Sequence, residues 1–153
     1  MKEAEIVAVR GRRVWDSRGR PTVEAEVTLA GGAVGRAIAP AGASTGSGEA
    51  IDLRDGDKRL GGRDVGRAVA NVSGEIAAAL AGMDARDQAG VDAALIARDG
   101  TPNKSRLGGN AVVAASMAVA HAAAAAMREP LWRYLSGGAA GRLPLPEIQI
   151  FGG

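Results

Sequence analysis

The stretch TVEAEVTL, residues 22–29, alternates without a break: Val23, Ala25, Val27 and Leu29 fall on one face, and Thr22, Glu24, Glu26 and Thr28 on the other. A period of two predicts a strand with one covered and one open face. Working outward, Ile6 to Trp15 is rich in Val and Ile and reads as a strand before it. Ala30-Gly31-Gly32 supplies a turn after it, and Ala33 to Ala39 makes a third short strand. Sequential strands with short connections predict an antiparallel meander covered on one side.

Beyond the strands the period changes. Residues 40–49, PAGASTGSGE, form a loop by composition, its glycines leaving the backbone free to move and to approach a ligand. Between Asp64 and Ala81, Val65, Val69, Val72, Ile76 and Leu80 recur at helical spacing. A second helix is expected from about Ala85 to Arg98, stopped by Asp99-Gly100-Thr101-Pro102. An Ala-rich helix starts near Gly109, and a short one spans Leu131 to Leu135 after Pro130. Strands first and helices afterwards predict an α+β domain. Leu143 to Phe151 reads as a new apolar strand before Gly152-Gly153, so the chain is expected to be the front part of a longer protein.

The 153 residues suit one domain with a real core. With 23 glycines, many alanines and only four aromatic side chains, that core has to pack its helices closely through small residues. The net charge is only +2, and the cluster Arg10, Arg12, Arg13, Arg18 and Arg20 has Trp15 as its one aromatic neighbour, so no nucleic-acid surface is expected. The absence of cysteine excludes disulfides and thiolate chemistry. The start, MKEAEIVAVRGRR, has no apolar signal core. Leu107 to Met127 has no charged residue but is mostly Ala, which fits a buried helix better than a membrane span.

The inventory of chemistry is short. His121, the sole histidine, lies in the Ala-rich helix and reads as structural. No metal-ligand spacing, nucleophile elbow or phosphate loop of the Walker type occurs. The best candidate is residues 41–48, AGASTGSG, whose hydroxyls and exposed backbone suit a phosphate or a hard cation, with a plain surface loop as the competing reading. The string LRDGDK, residues 53–58, reads as a salt-bridged turn.

Taken together and in order, these motifs resemble the enolase family. Asp16-Ser17-Arg18-Gly19 with Pro21-Thr22-Val23-Glu24 is similar to the family's D-S-R-G-N-P-T-V-E. Pro40 to Gly46 is similar to P-S-G-A-S-T-G, and Leu53 to Lys58 to L-R-D-G-D-K. Asn103-Lys104-Ser105, Gly108 and Asn110-Ala111 resemble N-K-S-x-x-G-A-N-A, with Ala122 to Ala126 and Pro130-Leu131 following.

The resemblance implies an amino-terminal capping domain, a three-stranded meander followed by a helical bundle, over residues 1–140. Residues 141–153 would lead into a catalytic barrel that this chain lacks. It implies a cytoplasmic homodimer that dehydrates 2-phosphoglycerate to phosphoenolpyruvate in glycolysis with Mg²⁺ as cofactor, and no nucleic-acid or membrane partner. Ser44 matches the loop serine that ligates the second Mg²⁺ on closure. Gly42, Ala43, Thr45 and Gly46 shape the loop, and Arg18 and Glu24 match positions near the dimer interface. No catalytic residue is expected in this chain, so alone it is expected to be inactive.

Departures are present: Ala41 for a serine, Arg20 for the Asn before Pro21, and Asp52 for a Glu. A tail with Glu147, Gln149 and Gly152 stands where a Met- and Asn-rich stretch is usual. These keep open the alternatives of a divergent paralogue and of a non-catalytic binding or assembly module. The caps of related acid-sugar dehydratases and racemases lack the G-A-S-T-G and L-R-D-G-D-K strings.

Overall fold

The computed structural model describes residues 3–139, 141 and 143–148. Strands β1 (Ile6–Trp15), β2 (Pro21–Leu29) and β3 (Val34–Ala39) form an antiparallel meander in the order β1-β2-β3. Register follows the alternation: Val27 lies between Val9 and Gly35, and Ala25 between Gly11 and Ala37. Val23, Ala25, Val27 and Leu29 are all buried. The opposite face carries Glu24 and Glu26, flanked by arginines. Asp16 closes the first hairpin, its Oδ1 accepting the N–H groups of Arg18 at 2.9 Å and Arg20 at 2.8 Å. Gly19 takes the left-handed backbone that this turn needs, with φ of 67°.

Helical structure follows the loop. A 3₁₀ turn, Arg59–Gly62, precedes a continuous helical segment made of α1 (Gly66–Asn71), a π-helical stretch (Val72–Ile76) and α2 (Ala77–Leu80). The π-helical stretch is not visible in the apolar spacing, because Val72 and Ile76 still point inward. It bonds directly to the sheet, which α1 and α2 also pack against: Ser73 Oγ accepts the Gly11 N–H of edge strand β1 at 2.8 Å. Helix α3 (Gln88–Asp99) begins three residues later than its apolar pattern suggests, because Asp87 is its N-cap and accepts from Gly90 N–H at 3.0 Å. Helices α4 (Gly109–Ala126) and α5 (Leu131–Leu135) complete the fold.

Helix α4 lies across β2 and β3 and is the centre of the core. It is long and apolar enough to cross a membrane by composition, but it is mostly buried in this domain. Its alanines let the backbones nearly touch. A methyl group built on Gly35 would sit 2.1 Å from Ala122 N and 2.2 Å from Ala118 O, so only glycine fits there. Small residues therefore do pack the helix onto the sheet, as the composition predicts.

The LRDGDK string is a structural turn. Arg54 Nε pairs with Asp52 Oδ2 at 2.6 Å, and Asp55 accepts the Gly66 and Arg67 N–H groups at the start of α1. Buried Asp64 pairs with Arg13 at 2.7 Å. One expectation is corrected: residues 143–148 form no strand, and Leu143, Leu145 and Ile148 are exposed. An apolar strand needs a neighbour to bond, and among the described residues none pairs with it. Residues 149–151 of that expected strand, and Gln149 and Gly152 of the departures, lie outside the described residues.

Candidate functional site

The loop of residues 40–49 leaves the domain between two fixed legs. On the amino-terminal leg, Thr22 Oγ donates to the Ala39 carbonyl at 2.8 Å, and Arg18 Nη2 donates to the Ala41 carbonyl. On the carboxy-terminal leg, Ile51 N–H donates to the Asn103 carbonyl at 2.8 Å, and Gly109 N–H donates to the Ile51 carbonyl at 2.7 Å. Asn110 then brackets Leu53, accepting its N–H at 3.3 Å and donating to its carbonyl at 3.1 Å. Two motifs more than fifty residues apart in sequence thus meet, the second anchoring the first.

Between the legs the chain is exposed from Gly42 through Ala50. Glu49 staples a turn here: its Oε1 accepts the Gly46 N–H at 2.7 Å, and its own N–H donates to the Gly46 carbonyl at 3.2 Å. Among the described residues none hydrogen-bonds to Gly42, Ala43, Ser44 or Thr45. An exposed, glycine-bearing span without bonds opens at little free-energy cost.

An open cleft of about 910 Å³ lies between residues 45–52 of the loop and Pro102, Asn103 and Lys104. A smaller hollow of about 300 Å³ lies beneath the loop, lined by Pro40, Gly42, Thr45, Gly109 and Val113 among others. Glu49 and Asp52 line both. Asp52 Oδ2 is held by Arg54, whereas its Oδ1 is buried without a partner among the described residues.

Electrostatics brace the surroundings. The Arg20 and Arg18 N–H groups and the Arg18 guanidinium hold the Asp16 carboxyl below its ordinary range against a smaller opposing effect of burial. At Asp99, burial pushes the carboxyl up, but hydrogen bonds from Thr101 and the Leu107 N–H outweigh it and leave the group lowered. Leu107 N–H reaches Asp99 Oδ2 at 2.7 Å, which fixes the turn carrying Asn103 and Lys104.

The family described as "Enolase, N-terminal domain" matches residues 6–135. The chain belongs to the enolase family. It is 57% identical over 150 residues to the protein named "Enolase" of Rubrobacter xylanophilus (strain DSM 9941 / JCM 11954 / NBRC 16129 / PRD-1), covering 97% of this chain and 35% of that relative. It is 50% identical over 153 residues to "Enolase 1" of Desulfitobacterium hafniense (strain Y51), covering 100% of this chain and 35% of that relative. The chain therefore spans about a third of the length of these curated enolases. Its architecture, a three-stranded meander with helices packed on it, is that of the enolase amino-terminal domain.

The structure brings Gly42, Ala43, Ser44 and Thr45 together on the unbonded span, with Ser44 exposed, and Gly46 follows in the turn stapled by Glu49. Arg18 is beside them, at the loop's foot. Glu24 is not: it sits on the open face of the sheet, paired with Arg12 at 2.6 Å. His121 faces a separate hollow with Gln88, Leu131 and Leu135. Sequence reasoning missed Glu49 as the staple of the turn and Asn103 and Asn110 as anchors of the leg. Glu49 had a weak signal, an acceptor three residues after a glycine. The asparagines had none outside the family motif, because their partners are distant in sequence.

Ser44 Oγ is a neutral oxygen of the kind Mg²⁺ accepts, exposed and unbonded. It fits a single ligand to an ion whose charge is balanced elsewhere. Among the described residues no group of three or more His, Asp or Glu side chains is placed to hold a metal ion.

Proposed function

We propose that the full-length protein is a Mg²⁺-dependent lyase that dehydrates 2-phosphoglycerate to phosphoenolpyruvate in the cytoplasm, and that this domain supplies its closing loop. In that reaction a proton leaves the carbon beside the carboxylate and hydroxide leaves the neighbouring carbon. The base, the acid and the carboxylates for the first Mg²⁺ are expected from the part of the protein that this chain does not span. When bound, Mg²⁺ would supply positive charge beside the substrate's carboxylate and phosphate, the pattern known for the superfamily.

This chain's own contribution is local. Ser44 offers Oγ as a ligand to the second Mg²⁺, and Gly42, Ala43, Thr45 and Gly46 let the backbone carry it there. A loop closing over the site also excludes water from it. Arg18 and Glu24 are assigned to the homodimer contact, with Glu24 on the sheet face opposite the buried Val23, Ala25, Val27 and Leu29. The observation that carries the reading is the exposed, hydrogen-bond-free Gly42–Thr45 span between two anchored legs in an enolase-family domain.

The test is Ser44→Ala in the full-length protein, assayed by phosphoenolpyruvate formation across a Mg²⁺ titration. Loss of one ligand should raise the half-saturating concentration for the second Mg²⁺ and lower turnover about tenfold or more. An unchanged Mg²⁺ dependence would falsify the role of Ser44.

A further inference from the structure

The amino-terminal flank of the unbonded Gly42–Thr45 span is held by two side chains, Thr22 at the Ala39 carbonyl and Arg18 at the Ala41 carbonyl, and Arg18 is the nearer of the two to the span. Arg18 Nη2 donates to the Ala41 carbonyl, the last backbone bond before the free span. Arg18 is itself fixed from the sheet. Its N–H donates to Asp16 Oδ1 at 2.9 Å, and Nη2 reaches Asp16 Oδ2 at 3.4 Å. Asp16 in turn accepts the Arg20 N–H at 2.8 Å and pairs backbone with Arg20, so it belongs to the hairpin and not to the loop. The guanidinium therefore bridges a rigid hairpin and the first residue of the loop, across a hollow lined by Trp15, Ile38 and Pro40.

We propose that Arg18 is the hinge clamp of the 40–49 loop, a positioning residue that holds Ala41 to the β1–β2 hairpin and confines loop motion to Gly42 and beyond. A planar guanidinium with several fixed donors spans a carboxylate and a carbonyl together, whereas a lysine ammonium on a flexible stem holds such a pair less firmly. The clamp rests on geometry, and only its consequence for Ser44 rests on the function proposed above. This role within the domain is separate from the dimer-contact assignment and does not depend on it.

The test is native-state digestion by proteinase K of the full-length protein and of its Arg18→Ala and Arg18→Lys variants, with cut positions mapped by mass spectrometry. When opening is fast compared with cutting, the cutting rate follows the open population. Arg18→Ala is expected to speed cutting within residues 42–48 about fivefold, the loss of one net hydrogen bond. Cutting elsewhere should be unchanged, and Arg18→Lys should fall between Arg18→Ala and the unsubstituted protein. Loop cutting that matches the unsubstituted protein overturns the proposal, as does acceleration that is equal at all sites. Should Arg18→Ala not fold, Arg18→Lys carries the test with the same two outcomes. The readout needs neither metal nor turnover. Normal Mg²⁺ dependence in Ser44→Ala together with fast loop cutting in Arg18→Ala would remove the metal role and keep the clamp. The reverse pair would keep the metal role and remove the clamp.

Discussion

The contact of α4 with β3 and the loop that leaves β3 a few residues later are both glycine-dependent, for opposite reasons. At Gly35 the missing side chain lets two backbones meet, with no room for a methyl group. At Gly42 to Gly46 the same residue type stands in the open, and an added Cβ at Gly46 would meet only the Glu49 side chain, at 3.4 Å. The first region uses glycine for contact and is rigid because it is dense. The second uses it for freedom and stands exposed with few bonds to hold it. Composition alone counts these glycines as equal, and only their neighbours separate them.

The comparison can be broken at either end. The largest effect is expected from Gly35→Ala, whose methyl group must displace the α4 backbone; it should destabilise the domain by about 3 kcal/mol, read from the denaturant midpoint. A loss below about 0.5 kcal/mol, the level typical of surface changes, would show that the contact yields. Next comes Asp99→Ala, which strands the Leu107 N–H inside the core and should cost about 2 kcal/mol by the same measurement. Ser44→Ala should change folding stability by less than about 0.5 kcal/mol while still altering the Mg²⁺ response, since the span it occupies bears no bonds.

The smallest effect concerns acid. Asp16 is lowered in the folded state, so the unfolded chain binds its proton more readily. Its contribution is therefore complete above the ordinary carboxylate value of about 3.9 and is lost as pH falls through that value to the lowered one. Asp99, Glu26 and Glu75 are lowered as well and add to the same decline. Asp16→Asn should make the fall in stability between pH 5 and 3 slightly shallower, checked by denaturation at several pH values. An equal slope would mean that the hairpin brace adds nothing to the fold.

The meander was legible in the sequence because Val23, Ala25, Val27 and Leu29 alternate with polar residues, and burial on one face requires that order. The helices were legible in extent, apart from the late start of α3 set by Asp87 and the π-helical stretch at Ser73. The loop was legible in composition and, through its motif, in family. Its anchors were not. Asn103, Gly109 and Asn110 act on Ile51 and Leu53 across more than fifty residues, and no local pattern announces a partner that far away.

What the sequence determined by itself was the order of elements, the covered face of the sheet and the hydroxyl-bearing loop, which depend on residues close together in the chain, and the enolase kinship, which depends on short motifs in a fixed order. What the tertiary structure alone decided was which glycines are close contacts and which stand in the open, that residues 143–148 of the strand expected over 143–151 have no described partner, and that Arg18 reaches the loop. Those outcomes depend on which backbones approach in space, and chain folding sets that through long-range packing and not through local spacing.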